Sequence, residues 1–518
     1  MSLPPCLADT VRDNAVRFGS VLAYRAEGQT LTHAQLHTRA TALAAALARM
    51  GLRRQDRIAV FGQNSIAFGE VLAAGQLSGL VVATVNFRLA PPEIGRILAD
   101  AAPRVLFVDS EYLSVVDAIR PAVDIEHVVC FEGSDRSEVI DYQELMDSAA
   151  GADLPFTARP DDIACLVYTS GTTGNPKGCI IGQRELHASA HILNGELRTG
   201  STDRVLLTMP MFHIGAMAIG LALHARGGTA VLHRKFEPRA VLDAIAADNV
   251  TTLHLAPTML QGVLDAAIGD ADALLPVKTV VYSAAPITTT TLAAAMRAMP
   301  QAGFLNLYGQ TEVITAGLPR ELHFGAENSV QRRLRSVGHP FPQTRVRIID
   351  EAGNDCPTGQ PGEVIVASPT AFRGYWNNSQ ATAQTLRDGW CHTGDVGFLD
   401  EEGLLHLVDR KKDIIISGGE NIYSLEVEDT LSSHPTVARC AVIGVPDQQW
   451  GEAVWAIVEP ADNAVVDSAQ LRTFVGDQLA RYKAPKTIVV VDALPILPTG
   501  KIDKKTLRAH YTAADGAV

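Results

Sequence analysis

Apolar runs of strand length, returning repeatedly between helical patterns, constrain this fold more than any other feature. Residues 57–62, 104–108 and 126–131 read as strands, and the alternation resumes over 163–168, 205–209, 229–233, 251–255 and 279–282. Parallel strands need long crossovers, which helices supply, so the pattern predicts two α/β layers, each a parallel sheet covered by helices. Thr32 with Gln35 three residues on forms a capping-box pattern. Helical spacing then runs to Met50, and Gly51 suits the left-handed position after a helix. Between 344 and 409 the signal changes to short β runs (345–349, 363–367, 404–408) among Gly- and Pro-containing turns, which predicts a small antiparallel barrel or sheet. A compact mix of helices and strands follows to about residue 491.

At 518 residues the chain exceeds one ordinary core, and its length implies about two to four folding units. A net charge of -13 without a Lys/Arg-rich stripe disfavours a nucleic-acid partner. The most apolar stretch, 71–85, follows Glu70 and contains Gln76 and Ser78. It is too short and interrupted to span a bilayer and reads as a buried helix followed by a strand. Asp9, Arg12 and Asp13 come too early for a signal peptide. Seven scattered cysteines, none at C-x-x-C spacing, suggest reduced, mostly buried thiols and a cytoplasmic location.

The most informative stretch for chemistry is Thr169-Ser170-Gly171-Thr172-Thr173-Gly174-Asn175-Pro176-Lys177-Gly178, directly after a strand-like run. Glycines let several N–H groups point at one anion, the hydroxyls add donors, and Lys177 adds positive charge. That combination suits a polyphosphate. The spacing is not that of a Walker A loop, which needs Gly-Lys followed by Ser or Thr. A flexible surface linker is the plain alternative, but this stretch is bracketed by apolar, strand-like sequence.

Together with four further motifs in the same order, this loop resembles the adenylate-forming superfamily: acyl- and aryl-CoA synthetases, luciferases and peptide-synthetase adenylation domains. The resemblance implies a large N-terminal domain, 1–411, of two α/β subdomains plus a small β-barrel, and a mobile α+β C-terminal domain, 412–518. It implies ATP, Mg²⁺ and coenzyme A as reactants or cofactor, and a small carboxylic acid as substrate. A homodimer is compatible with it. In Tyr308-Gly309-Gln310-Thr311-Glu312, similar to the family's Y-G-x-T-E, Tyr308 packs on adenine, Thr311 touches the α-phosphate region and Glu312 orients Mg²⁺, with Thr173 as a second metal ligand. Gly309 and Gln310 complete that nucleotide segment. Read without the family, this is the capped start of a helix. Ala284, Ala285 and Pro286 line the adenine and acyl pockets. Asp395, in a T-G-D motif, holds the ribose with Arg410. The same resemblance implies that Lys412 is the hinge, that Gly418, Gly419 and Glu420 face coenzyme A, and that Lys501 is the catalytic lysine.

A carboxylate attacking the α-phosphorus of ATP meets charge repulsion, so catalysis must supply positive charge and in-line positioning. Lys501 is the candidate to bridge the attacking carboxylate and the α-phosphate. Pro210-Met211-Phe212-His213 resembles the segment opening the acyl-binding helix, with His213 at the pocket mouth. Met217, Gly309 and Val313 join it on the acyl side. The small, apolar run 214–223 offers no charge to a substrate tail, which favours an apolar acid, medium- or long-chain fatty or aryl. Delivery to a carrier protein and a non-catalytic nucleotide sensor are the alternatives.

Overall fold

The computed structural model describes residues 5–169, 176–270, 272–285, 287–324, 327–411, 413–417, 420–447, 449–462, 464–497 and 501–514. By internal contacts the chain divides into two compact units, Met1–Val346 with Val366–His392, and Arg347–Ile365 with Thr393–Val518. The boundary expected at 411/412 falls inside the second unit, just after the strand Leu405–Arg410.

The first unit holds two large sheets. One has seven strands, all parallel until its last pair, where Ile163–Thr169 meets Lys177–Gly182 antiparallel. The other has nine strands, with a parallel centre of Leu22–Ala26, Thr229–Leu232, Arg204–Leu207, Thr252–Leu255, Thr279–Ser283 and Gly303–Gly309. Antiparallel strands close both its edges. The two α/β layers expected from the alternation are therefore present. The expectation of purely parallel sheets needs correcting at the edges, where antiparallel strands pair in place of parallel crossovers.

Local signals behave as their chemistry requires. The helix His33–Arg49 starts on a complete Thr32/Gln35 capping box, and Gly51 lies at φ +88. The helix Ile66–Ser78 has every residue from Phe68 onward buried and leads into the buried strand Val81–Thr84. Its Glu70 is paired with Arg39 and accepts the Tyr142 hydroxyl at 2.7 Å, as a buried carboxylate must. Among the described residues no helix is long and apolar enough to cross a membrane. All seven cysteines are free thiols, and all but Cys356 are buried.

One core lies on a single face of the nine-stranded sheet. Leu206, Leu253, Leu255, Val280, Tyr282 and Phe304 pack there beneath the helices Pro238–Ala247, Pro257–Ala266 and Thr289–Ala298. In the second unit Leu405–Arg410 pairs antiparallel with the 395–399 part of Trp390–Leu399. The segment after 413 builds its own five-stranded sheet around the long hairpin Val437–Asp447/Gly451–Pro460.

Candidate active site

Hairpin closure at the edge of the seven-stranded sheet brings together the ends of the segment expected to bind phosphate. Thr169 and Lys177 sit directly opposite each other, so the two ends of the glycine-rich loop are pinned together. Ser170, Gly171, Thr172, Thr173 and Gly174 lie outside the described residues, as do Pro286, Lys412, Gly418 and Gly419.

The segment 373–376 runs beside the second hairpin strand. Arg373 N–H donates to the Ile180 carbonyl, Ile180 N–H to Gly374, and Trp376 N–H to Gly178 at 2.7 Å. This registration aims Tyr375 inward. Its hydroxyl donates to Glu312 Oε1 at 2.6 Å, and its ring centroid lies 5.0 Å from Lys177 Nζ. Phe372 N–H holds the Glu312 backbone carbonyl at 2.7 Å. One phenol thus ties together two expected site residues far apart in sequence. Burial first, then the Glu312 charge, pushes the Tyr375 pKa upward, so the phenol keeps its proton and remains a donor. Sequence reasoning missed Tyr375. The available signal was Gly374-Tyr375-Trp376, a glycine followed by two aromatics; in the structure that glycine lies at φ +127.

Tyr308 and Gly309 end the strand Gly303–Gly309, and Gln310 and Val313 close a turn through reciprocal backbone bonds of 2.8 and 3.2 Å. Thr311 and Glu312 sit in that turn, which leads into the strand Ile314–Leu318. The segment is a hairpin, so the capped-helix alternative does not hold. Val313 is buried. Ala284 and Ala285 follow the strand Thr279–Ser283 and are exposed, with Ala284 at φ +73. That left-handed backbone is unfavourable for a residue with a Cβ. His213 immediately precedes the helix Ile214–His224, in which Met217 is buried. Thr169, His213, Ala284 and Tyr308 thus all lie at or after the carboxyl ends of strands in parallel pairs, where open α/β sheets bind ligands.

In the second unit Asp395 and Arg410 are cross-strand partners, with Arg410 Nε 3.0 Å from Asp395 Oδ1. Gly394 lies at φ +69, and its carbonyl accepts the Lys411 N–H at 2.9 Å. Asp395 is only 5% exposed while Arg410 is exposed, so the carboxylate is fixed and its partner reaches solvent. Asp409 bonds the Arg410 N–H at 2.7 Å and also accepts the Ser424 N–H. Lys504 Nζ joins Ser424 Oγ at 2.7 Å and Glu428 at 2.7 Å. Of these, the Asp409–Ser424 bond spans the segment that contains position 412. Glu420 begins a short strand and is exposed. Lys501 is exposed, and its carbonyl accepts the Leu497 N–H at 2.7 Å.

The family description "AMP-binding enzyme" matches residues 11–376, and "AMP-binding enzyme C-terminal domain" matches residues 426–501. The chain is 36% identical over 491 residues to a feruloyl-CoA synthase of an Amycolatopsis species, covering 94% of this chain and 96% of that one. It is 35% identical over 514 residues to a fatty acid–[acyl-carrier-protein] ligase of Streptomyces coeruleorubidus, covering 98% and 96%. Among solved structures, the amide bond synthetase McbA from Marinactinospora thermotolerans superposes with a TM-score of 0.87 at 31% identity, covering 98% of this chain and 100% of that one.

Proposed function

The chain belongs to the AMP-binding enzymes of the adenylate-forming superfamily, and from that premise we propose that it is an acid–thiol ligase acting on an apolar fatty or aryl acid. Glu312, gripped by Tyr375 beside Lys177, is the observation that carries this reading. It gathers a carboxylate and an ammonium at the base of a glycine-rich loop, as a metal-bound polyphosphate requires.

In the first half-reaction a carboxylate oxygen of the acid attacks the α-phosphorus, and the bond to pyrophosphate breaks. Lys177 and the loop N–H groups stabilise the departing charge, and Lys501 steadies the attacking carboxylate. Removing one preorganised donor of this kind costs about 3 kcal/mol, or roughly a hundredfold in rate. Asp395 accepts the ribose hydroxyls with Arg410 beside it, and Tyr308 lies along adenine. Glu312 is a hard oxygen donor. Mg²⁺ prefers oxygen donors and completes its shell with phosphate oxygens and water, so Glu312 is the residue that would hold it, with Thr173 as the second ligand. When bound, the ion neutralises polyphosphate charge.

In the second half-reaction the coenzyme A thiolate attacks the acyl carbon and AMP leaves. Residues 412–518 turn about Lys412 between the steps, withdrawing Lys501 and presenting Gly418, Gly419 and Glu420. The feruloyl-CoA synthase and the acyl-carrier-protein ligase similar to this chain support a thiol acceptor and differ over whether it is coenzyme A or a carrier protein. The test is pyrophosphate release with ATP, Mg²⁺ and panels of fatty and aryl acids, with coenzyme A, a carrier protein or an amine as acceptor and products identified by mass. A coenzyme A thioester is expected. Pyrophosphate release that ignores the acid overturns the proposal.

A further inference from the structure

His254 lies inside the strand Thr252–Leu255, between Leu207 and Val281 of the neighbouring strands. Strand side chains alternate, so Leu253 and Leu255 enter the helix-covered core and His254 points to the opposite face. The helix Ile214–His224 covers that face. A Cβ built on Gly220 would lie 3.3 Å from Leu207 Cδ1, and one on Gly215 would lie 3.7 Å from His254 Cε1. The second distance is ordinary van der Waals contact. No clash demands glycine at 215, so its bare backbone leaves a methyl-sized gap against the imidazole edge.

The imidazole is wholly buried. Nε2 bonds Ser283 Oγ at 2.9 Å, whereas Nδ1, the other ring nitrogen flanking Cε1, has no hydrogen-bond partner among the described residues. Ser283 immediately precedes Ala284 and Ala285. Burial pushes the His254 pKa down to about 4, so at neutral pH the ring is uncharged and one nitrogen accepts while the other donates. A buried polar atom without a partner is costly, and such atoms in native sites commonly await a ligand group or water.

We infer that His254 is a specificity-determining residue whose Nδ1 hydrogen-bonds a hydroxyl on the acyl group, so the preferred acid is a hydroxylated aryl or fatty acid rather than an unsubstituted one. The assignment rests on the acyl-activating function proposed above, in which the helix 214–224 walls the acyl pocket. A hydroxyl suits either tautomer because it donates and accepts. A methoxy group only accepts, so it pairs with Nδ1 only when that nitrogen carries the proton.

The experiment uses the full chain with ATP and Mg²⁺ and reads acid-dependent pyrophosphate release for matched acids with hydrogen, hydroxyl or methoxy at one position. In the native enzyme, kcat/KM for the best-placed hydroxyl acid is expected to exceed that for its unsubstituted match by roughly ten- to a hundredfold. His254→Leu should bring that ratio close to one. The ratio is taken within each variant, so an overall loss of rate cancels. His254→Asn places an amide near the Nδ1 position and should retain part of the preference. His254→Gln places one near Nε2, can keep the Ser283 bond, and should lose it. A native enzyme without hydroxyl preference, or a His254→Leu enzyme that keeps it, overturns the assignment alone. Absence of pyrophosphate release with every acid overturns the acyl-activating function and this assignment with it.

Discussion

At the residue scale, the site depends on groups whose charge is fixed by their neighbours. Tyr375→Phe keeps the ring beside Lys177 and deletes only the hydrogen bond to Glu312. A bond to a charged acceptor contributes about 1.5–3 kcal/mol, so adenylation should fall roughly ten- to a hundredfold and the apparent Mg²⁺ requirement should rise. Unchanged magnesium titration and rate would show that Glu312 needs no such grip. Lys501→Ala should slow pyrophosphate release roughly a hundredfold and leave thioester formation from preformed acyl-adenylate intact. Equal loss of both half-reactions would refute its assignment to the first. Asp395 and Lys177 stand out in the sequence because each carries a local motif around it. Tyr375 could not, since its meaning lies in a carboxylate 63 positions earlier. His254 left a fainter signal, a single ionisable residue in an otherwise strand-like apolar run.

At the scale of elements, the strands expected from apolar runs fall within one or two residues of those observed, because four-residue buried strands and capped helices are written locally. Strand order was not legible. Leu22–Ala26 pairs with Thr229–Leu232 across more than two hundred residues, and no local pattern names that partner. The edge hairpins were equally hidden. The connection proposed to turn is crossed by the bond from the Ser424 N–H to Asp409, while Lys504–Ser424 and Arg508–Asp413 at 2.8 Å tie together residues on its far side. The Asp409–Ser424 bond must break or re-form if residues beyond 412 rotate. Proline fixes φ near −65°, so Lys412→Pro should spare pyrophosphate release and depress thioester formation by an order of magnitude or more. Fully retained thioester formation would exclude a turn at that position.

Across the whole molecule, acid should weaken the fold. Burial pushes the pKa of His224 down to about 3, and those of His254 and His323 to about 4, with His33 adding to the effect at His224. In the unfolded chain these rings titrate near 6.5, so between about pH 6.5 and 4 the unfolded state binds more protons and stability falls as pH falls. Asp109 works the other way. Burial raises its pKa to about 6, so over part of that window the folded state holds the extra proton and offsets one of the three. Each histidine left uncompensated costs about 1.4 kcal/mol per pH unit. Thermal unfolding should therefore move to lower temperature from pH 7 to pH 5, and a flat profile would show that these imidazoles are not neutral in the fold. The common placement of Thr169, His213, Ala284 and Tyr308 at one kind of strand end has a different consequence. The sheets settle where the reacting groups stand, while short connections settle what they greet. A lineage built this way can change its diet one connection at a time, keeping the nucleotide machinery while the guest acid is exchanged.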